Sequence, residues 1–317
     1  MLLVRCSQPN SPWEIIEVPL RAPKDNEVLI RVHASGVCNS EHFVKEGTWP
    51  GLQYPRTPGH EVIGRVAAVG SRILAHTGKP ADLNLEPWLV QVGTVATAIA
   101  AMCVGREITG LVQMGTLPAL LSMEGTPNTL VVGIEEEALQ KASYAELAPL
   151  FCAGATVFDA IRTTNWSPGD ICVVQGVGGL GHLAVQVYAV SSGPSKKDLA
   201  ISLGAHEHID SSSTDVVKYI QSLGGAQIIV CTAPYAKLIS DIIPAVAKNG
   251  TVTLVSAATD KPIEVRFGKA EMAGKLTIVL CPDVKTLVQE YTLDQFTDAY
   301  DATMANKARF RNVIVFR

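Results

Sequence analysis

One stretch constrains the fold of this chain more than any other. Ile171-Cys-Val-Val-Gln175 is a short apolar run of strand character, followed at once by Gly176-Val-Gly178-Gly-Leu-Gly181 and then by helix-like apolar sequence. A strand, a glycine turn and a helix open a parallel α/β unit. In such a unit each glycine answers a steric demand. Gly176 allows a tight turn, Gly178 lets the backbone approach a pyrophosphate, and Gly181 lets the helix pack closely on the strand. Gly179 and Leu180 complete the candidate cofactor-binding loop, and the helix behind it offers unpaired N–H groups and a positive dipole end to phosphates. Glycine turns also arise for structural reasons alone, so the dinucleotide reading rests on the strand before and the helix after.

The same rhythm continues downstream. Ala226–Cys231 and Gly250–Val255 read as buried parallel strands. Leu238, Ile239, Ile242, Ile243 and Val246 keep helical spacing, with Pro244 set to end or kink that helix. Asp294–Thr303 has the pattern of an amphipathic helix, and Asn312–Phe316 that of a last strand. The first 70 or so residues differ: Glu27–His33 and Glu61–Val69 alternate apolar and polar residues between Gly and Pro turn signals, as in a small β-rich domain. A length of 317 residues suits two domains at roughly 150 residues each.

Composition removes other classes. With 26 Lys+Arg against 30 Asp+Glu, and no basic run longer than Lys196-Lys197, the chain lacks the electrostatic footprint of a nucleic-acid binder. A hydrophobic share of 47% excludes disorder. The seven cysteines are an odd, scattered set rather than a secreted disulfide framework, and Met1–Arg5 leads into polar sequence without a signal-peptide core. The expectation is a cytoplasmic protein. Leu89–Gly105 carries no charge, yet Gln91, Gly93, Thr94 and Thr97 interrupt it and it falls short of the roughly 18 strongly apolar residues a membrane span needs. Buried core or disturbed sequence is the reading there, and no membrane partner is expected.

Cys38, His60, Glu61 and Cys152 form a second constellation. Two thiolates and an imidazole make a borderline-soft site suited to Zn²⁺, and three protein ligands leave a fourth position open. Taken singly, each residue has an alternative, because buried free cysteine and satisfied core histidine are common.

Four stretches together carry a resemblance. Gly36–Gly47, with Cys38, Ser40 and Glu41, Thr57-Pro-Gly-His60-Glu61-Val-Ile-Gly64, Ala148-Pro-Leu-Phe-Cys152-Ala-Gly154, and the glycine motif through His182 resemble the zinc-dependent alcohol dehydrogenases of the medium-chain dehydrogenase/reductase superfamily. The likeness spans most of the chain and is weakest between about Arg72 and Leu130. It implies an α/β fold: a GroES-like β-rich catalytic domain over 1–150, completed by 284–317, and a doubly wound Rossmann domain over 151–283. It implies that Cys38, His60 and Cys152 hold one catalytic zinc, with Glu61 as neighbour or transient ligand. Zinc would act as a Lewis acid on the oxygen of a small-molecule alcohol or aldehyde. Ser40 matches the hydroxyl that begins a proton relay, Glu41 the carboxylate that orients the zinc-ligand histidine, and Thr156 a nicotinamide contact. Trp49 falls where relatives place a pocket wall, and a packed surface aromatic is an equal reading. The resemblance also implies self-association of the chain.

Charge bears on cofactor choice. Where an acidic residue would accept the ribose hydroxyls of NAD, this chain has Ser191-Ser192-Gly-Pro-Ser-Lys196-Lys197. Small hydroxyls followed by two cations favour an extra phosphate, and the stretch resembles the cinnamyl-alcohol-dehydrogenase branch, so NADP(H) is expected. The other reading is that the lysines solvate a helix face. Two alternatives to an NADP-linked zinc enzyme stay open: a zinc-free quinone or enoyl reductase of the superfamily, and a non-catalytic relative.

Three departures stand against the match. Phe43 occupies the place of the relay histidine, leaving His42 or water to carry protons. Only Cys103 remains of the four cysteines that relatives use for a structural zinc, so none is expected. Ser191 follows Gly181 by only 10 residues, where roughly 20 is usual, so the first crossover helix is expected to be mostly lost. A similar shortening is expected after Leu280.

Overall fold

The computed structural model describes residues 1–25, 28–48, 51–71, 136–162, 164, 166–184, 188–256, 258, 260–265, 275–276, 287–305, 307–308, 310–316. Trp49, Cys103, the uncharged run from Leu89 and the segment just after Leu280 lie outside them. The chain divides into two compact units, Met1–Cys152 with Thr286–Arg317, and Ala153–Lys285.

The first unit begins with an antiparallel pair, β1 (Leu2–Cys6) and β2 (Trp13–Glu17). β3 (Val28–Val37) follows, then the short helix α1 (Glu41–Glu46) and β4 (Glu61–Val69). α1 stops because Gly47 adopts a left-handed conformation and returns its N–H to the Phe43 carbonyl. After α2 (Glu136–Lys141), Ser143 opens α3 (Tyr144–Leu147) with a capping box shared with Glu146, and a 3₁₀ turn over Ala148–Phe151 delivers the chain to Cys152.

The second unit runs α4 (Ala153–Arg162), β5 (Cys172–Gln175), α5 (Gly181–Ala184), β6 (Tyr188–Ser191), α6 (Lys197–Ser202), β7 (Glu207–Asp210), α7 (Val216–Ser222), β8 (Ala226–Cys231), α8 (Ala236–Ile242), β9 (Val246–Leu254) and β10 (Lys275–Leu276). Its strands form one parallel sheet in the order β7-β6-β5-β8-β9-β10. This is a doubly wound order in which the chain reverses direction between β5 and β8, the place where such sheets bind ligands. Val173, Val190, Ile209, Ile229, Cys231 and Ile239 pack its core.

The chain then returns to the first unit through β11 (Val288–Tyr291), α9 (Phe296–Met304) and β12 (Arg311–Val315), giving a four-stranded sheet β11-β12-β3-β4. Asn312, fully buried on β12, donates to the Ala299 carbonyl and to Thr303 Oγ1, tying α9 to the sheet. The fold is therefore the α/β arrangement of a GroES-like unit and a parallel Rossmann-type unit.

Two local outcomes refine the expectations. Val246 belongs to β9 rather than to the preceding helix, because Pro244 ends α8 in a 3₁₀ turn over Ile243–Ala245 and the chain leaves it extended. The helix behind the glycine motif is a single turn, Gly181–Ala184, with all four residues buried, and β6 begins at Tyr188. That connection is near the minimum of about a dozen residues that a parallel crossover requires.

Candidate metal centre and cofactor loop

β3 and β4 bring the first half of the metal constellation together. Gly36 and Glu61 are partners across the two strands, so Cys38, just past the end of β3, and His60, just before β4, meet at one end of the ladder. A Cβ on Gly36 would run into the Glu61 carboxylate, which Arg311 holds from the other side. The 3₁₀ turn brings Cys152 in from elsewhere in the sequence.

The donor atoms of Cys38, His60, Glu61 and Cys152 all lie within 4.8 Å of one another. The two sulfurs are 3.9 Å apart, and His60 Nε2 is 3.4 Å from Cys152 Sγ. A tetrahedral zinc with Zn–S near 2.3 Å and Zn–N near 2.0–2.1 Å separates two sulfurs by about 3.8 Å and a sulfur from a nitrogen by about 3.6 Å. The donor set therefore fits zinc in both chemistry and spacing.

Glu41 fixes the imidazole. Its carboxylate is buried at the start of α1 and accepts from His60 Nδ1–H at 3.0 Å and from the Gly59 N–H at 3.1 Å. With Nδ1 committed, Nε2 is the nitrogen that faces the sulfurs. Glu61, with no solvent exposure, pairs with Arg311 of β12 and keeps Oε1 4.0 Å from His60 Nε2.

Electrostatics point the same way. The hydrogen bond with Cys152 drives the Cys38 thiol well below the ordinary range against the pull of burial, while the same bond, with burial, pushes the Cys152 thiol up. Burial opposes a charged His60, but the Cys38 thiolate and the Glu41 carboxylate outweigh it and raise the imidazole to about 10. The cluster has surplus negative charge and gathers positive charge to itself.

Ser40 precedes α1 at its N-cap position, makes no side-chain capping bond there, and sets its Oγ 3.4 Å from His60 Nε2. Phe43 lies within α1, stacked obliquely on His42, whose Nδ1 donates to the Asn39 carbonyl at 2.7 Å.

In the second unit the glycine loop follows β5 directly. Gly176 sits at φ 101°, where a side chain would be strained and would strike Thr232 Oγ1. At Gly181 a Cβ would overlap the Gly176 carbonyl, whereas at Gly178 it would meet nothing within 4 Å. Thr232, directly after β8, braces the loop with its hydroxyl shared between the Gln175 and Gly176 carbonyls. His182 donates from Nδ1 to the Gly178 carbonyl at 2.9 Å, and burial lowers its pKa to about 4.

Ser191 ends β6, and Ser192 and Gly193 carry the chain towards Lys196 and Lys197 at the start of α6. Lys196 is not a simple solvated helix residue: its Nζ reaches back to the Val177 carbonyl at 2.7 Å, inside the glycine loop, and burial lowers its pKa. Gly179 and Leu180 lie in the turn before α5, and Thr156 lies on α4, partly exposed.

Sequence reasoning did not find Arg311, Thr232 or Asp210. Arg311 is far from Glu61 in sequence and reaches it only through the pairing of β12 with β3. Asp210 of β7 accepts from the Gly193 N–H at 2.7 Å, from the Ser212 N–H at 2.8 Å and from the Ser212 hydroxyl at 2.6 Å. Its signal is an acidic residue at the end of β7, the strand beside the one that ends in Ser191.

Known proteins resemble this chain along most of its length. Residues 24–80 match the alcohol dehydrogenase GroES-like domain family and residues 171–296 the zinc-binding dehydrogenase family. Alcohol dehydrogenase patD of Penicillium expansum is 33% identical over 94% of this chain and 92% of its own. Alcohol dehydrogenase notN of Aspergillus sp. is 30% identical over 96% and 94%. Among solved structures, the alcohol dehydrogenase of the archaeon Aeropyrum pernix superposes with a TM-score of 0.76 at 21% identity, covering all of both chains.

Proposed function

Because the chain belongs to the alcohol dehydrogenases of the medium-chain dehydrogenase/reductase superfamily, we propose that it is a zinc-dependent, NADP(H)-linked alcohol dehydrogenase that works mainly as a reductase of small aldehydes. The convergence of Cys38, His60 and Cys152 at zinc spacing carries the reading. When bound, zinc supplies a Lewis acid for the substrate oxygen, and the nicotinamide supplies or accepts the hydride.

The chain's own residues do the rest. Cys38, His60 and Cys152 are the ligands, and Glu41 holds His60 in the tautomer that presents Nε2. Glu61 is paired with Arg311. Oxidising an alcohol releases a proton besides the hydride, and the role of first accepting it is assigned to Ser40 Oγ, which lies 3.4 Å from His60 Nε2. Phe43 offers no group to pass it on, so the proton leaves by water or by His42. On the cofactor side, Gly178 leaves room for the pyrophosphate, while Ser191, Ser192, Lys196 and Lys197 supply donors and positive charge for a 2′-phosphate. Thr156 is assigned to the nicotinamide end.

A second cofactor reading has one observation in its favour. Asp210 is the ladder partner of Ser191, and hydrogen bonds from Ser212 lower its pKa and keep it ionised. A carboxylate there suits the free ribose hydroxyls of NAD. Its Oδ1 is already engaged by three donors, which favours the NADP(H) reading.

The test is zinc content by elemental analysis, with oxidation of NADPH and NADH followed against aromatic and aliphatic aldehydes. The expected result is about one zinc per chain and faster turnover with NADPH. A zinc-free protein with full activity refutes the metal assignment in favour of a quinone or enoyl reductase. Zinc without turnover identifies a non-catalytic relative.

A further inference from the structure

Ser191 stands one residue beyond Val190, whose carbonyl accepts the Gly176 N–H, so its hydroxyl lies at the glycine-loop end of the sheet. Ser191 Oγ is 2.8 Å from Nε2 of His208, a buried residue on the neighbouring strand β7. A serine hydroxyl has one proton and two lone pairs. If Nε2 accepts, that proton is spent on the imidazole and Ser191 turns only lone pairs outward. If Nε2–H donates, Ser191 keeps its proton for a ligand. An anion separates the two cases, since it is repelled by the first and bound by the second.

We propose that His208 is a positioning residue for the 2′-phosphate of the cofactor: its Nε2–H donates to Ser191 Oγ and leaves the Ser191 hydroxyl proton for the phosphate. This rests on the NADP(H) reading and deepens it. His208 touches no ligand; it acts through Ser191. The ionised Asp210 beside Ser191 makes the orientation matter more, because a site that already holds one carboxylate needs every donor it can turn towards an anion. Lys196 supplies the neighbouring positive charge from its place over the Val177 carbonyl.

The experiment is calorimetric titration of the full chain, wild type, His208→Leu and His208→Gln, with 2′,5′-ADP and with 5′-AMP. Neither probe requires turnover. The wild type is expected to prefer 2′,5′-ADP strongly. His208→Leu leaves the Ser191 hydroxyl free to rotate and should cut that preference several-fold, up to the roughly tenfold that one hydrogen bond to a charged group is worth, with 5′-AMP affinity unchanged. His208→Gln keeps an N–H donor and should restore most of the preference. A wild type indifferent to the 2′-phosphate overturns the NADP(H) reading and this inference with it. A wild-type preference that survives intact in His208→Leu overturns the role of His208 alone. Equal weakening of both ligands marks a merely structural residue and overturns it too.

Discussion

Gly178 and Gly181 differ by three positions and, structurally, in kind. A Cβ at Gly181 would sit 1.7 Å from the Gly176 carbonyl oxygen and 2.8 Å from its carbon, so Gly181→Ala must displace backbone in the turn that joins β5 to α5. Overpacking of this sort costs about 1–3 kcal/mol, and a backbone obstacle puts it at the upper end. At about 2.1 cal/mol/K per residue of unfolding entropy, a unit the size of Ala153–Lys285 would lose about 4–10 °C in melting temperature. At Gly178 the Cβ meets nothing within 4 Å and φ is not positive, so Gly178→Ala should leave stability unchanged or raise it by about 0.4–1 kcal/mol through the unfolded chain. The open space at Gly178 is where a pyrophosphate would approach, so the methyl should weaken cofactor affinity about tenfold or more. Thermal melts without ligand, paired with NADPH titrations, separate the two effects. A Gly178→Ala protein that melts as low as Gly181→Ala, or one that binds NADPH as well as the wild type, refutes the assignment of that space to the cofactor.

The metal site and the buried charges yield three more expectations. Glu41→Gln should preserve the fold while lowering zinc affinity about 10–100-fold, read from zinc retention against a chelator series; unchanged retention would remove Glu41 from the site. Arg311→Met strands the fully buried Glu61 carboxylate and should cost about 3–5 kcal/mol in denaturant unfolding, with Arg311→Met/Glu61→Met recovering most of it; a mild single variant would contradict the pairing. His182 is neutral in the folded protein down to about pH 4 but titrates near 6.5 when unfolded. Below pH 6.5 the unfolded state therefore takes up a proton that the folded state refuses. Stability falls by up to about 3 kcal/mol as pH drops from 6.5 to 4, then levels off. His182→Gln should flatten that interval of the stability profile, and superimposable wild-type and variant profiles would disprove the buried neutral state.

The elements that sequence reading found are those whose evidence is local. Cys172–Gln175, the glycine turn and the single helical turn after it are legible because strand character, turn geometry and crossover length are properties of adjacent residues. Val246 escapes this reading, because an apolar residue at helical spacing looks alike on a helix and on the strand that follows, and only the sheet ladder with Ala226 decides between them. For the site, residue type and motif order named Cys38, His60 and Cys152, but chemistry alone could not say that the sulfurs come within 3.9 Å.

From its sequence alone, this protein's order of elements, its separation into a β-rich part and a parallel α/β part, and its stock of soft ligands were determined, because these follow from periodicity, glycine spacing and side-chain chemistry. Tertiary structure decided which distant groups meet: Arg311 on Glu61, Lys196 on Val177, His208 on Ser191. Each of those contacts is set by strand pairing or by the folding-back of a loop. Burial, which gives a charge or a hydrogen bond most of its weight, exists only once the layers have closed.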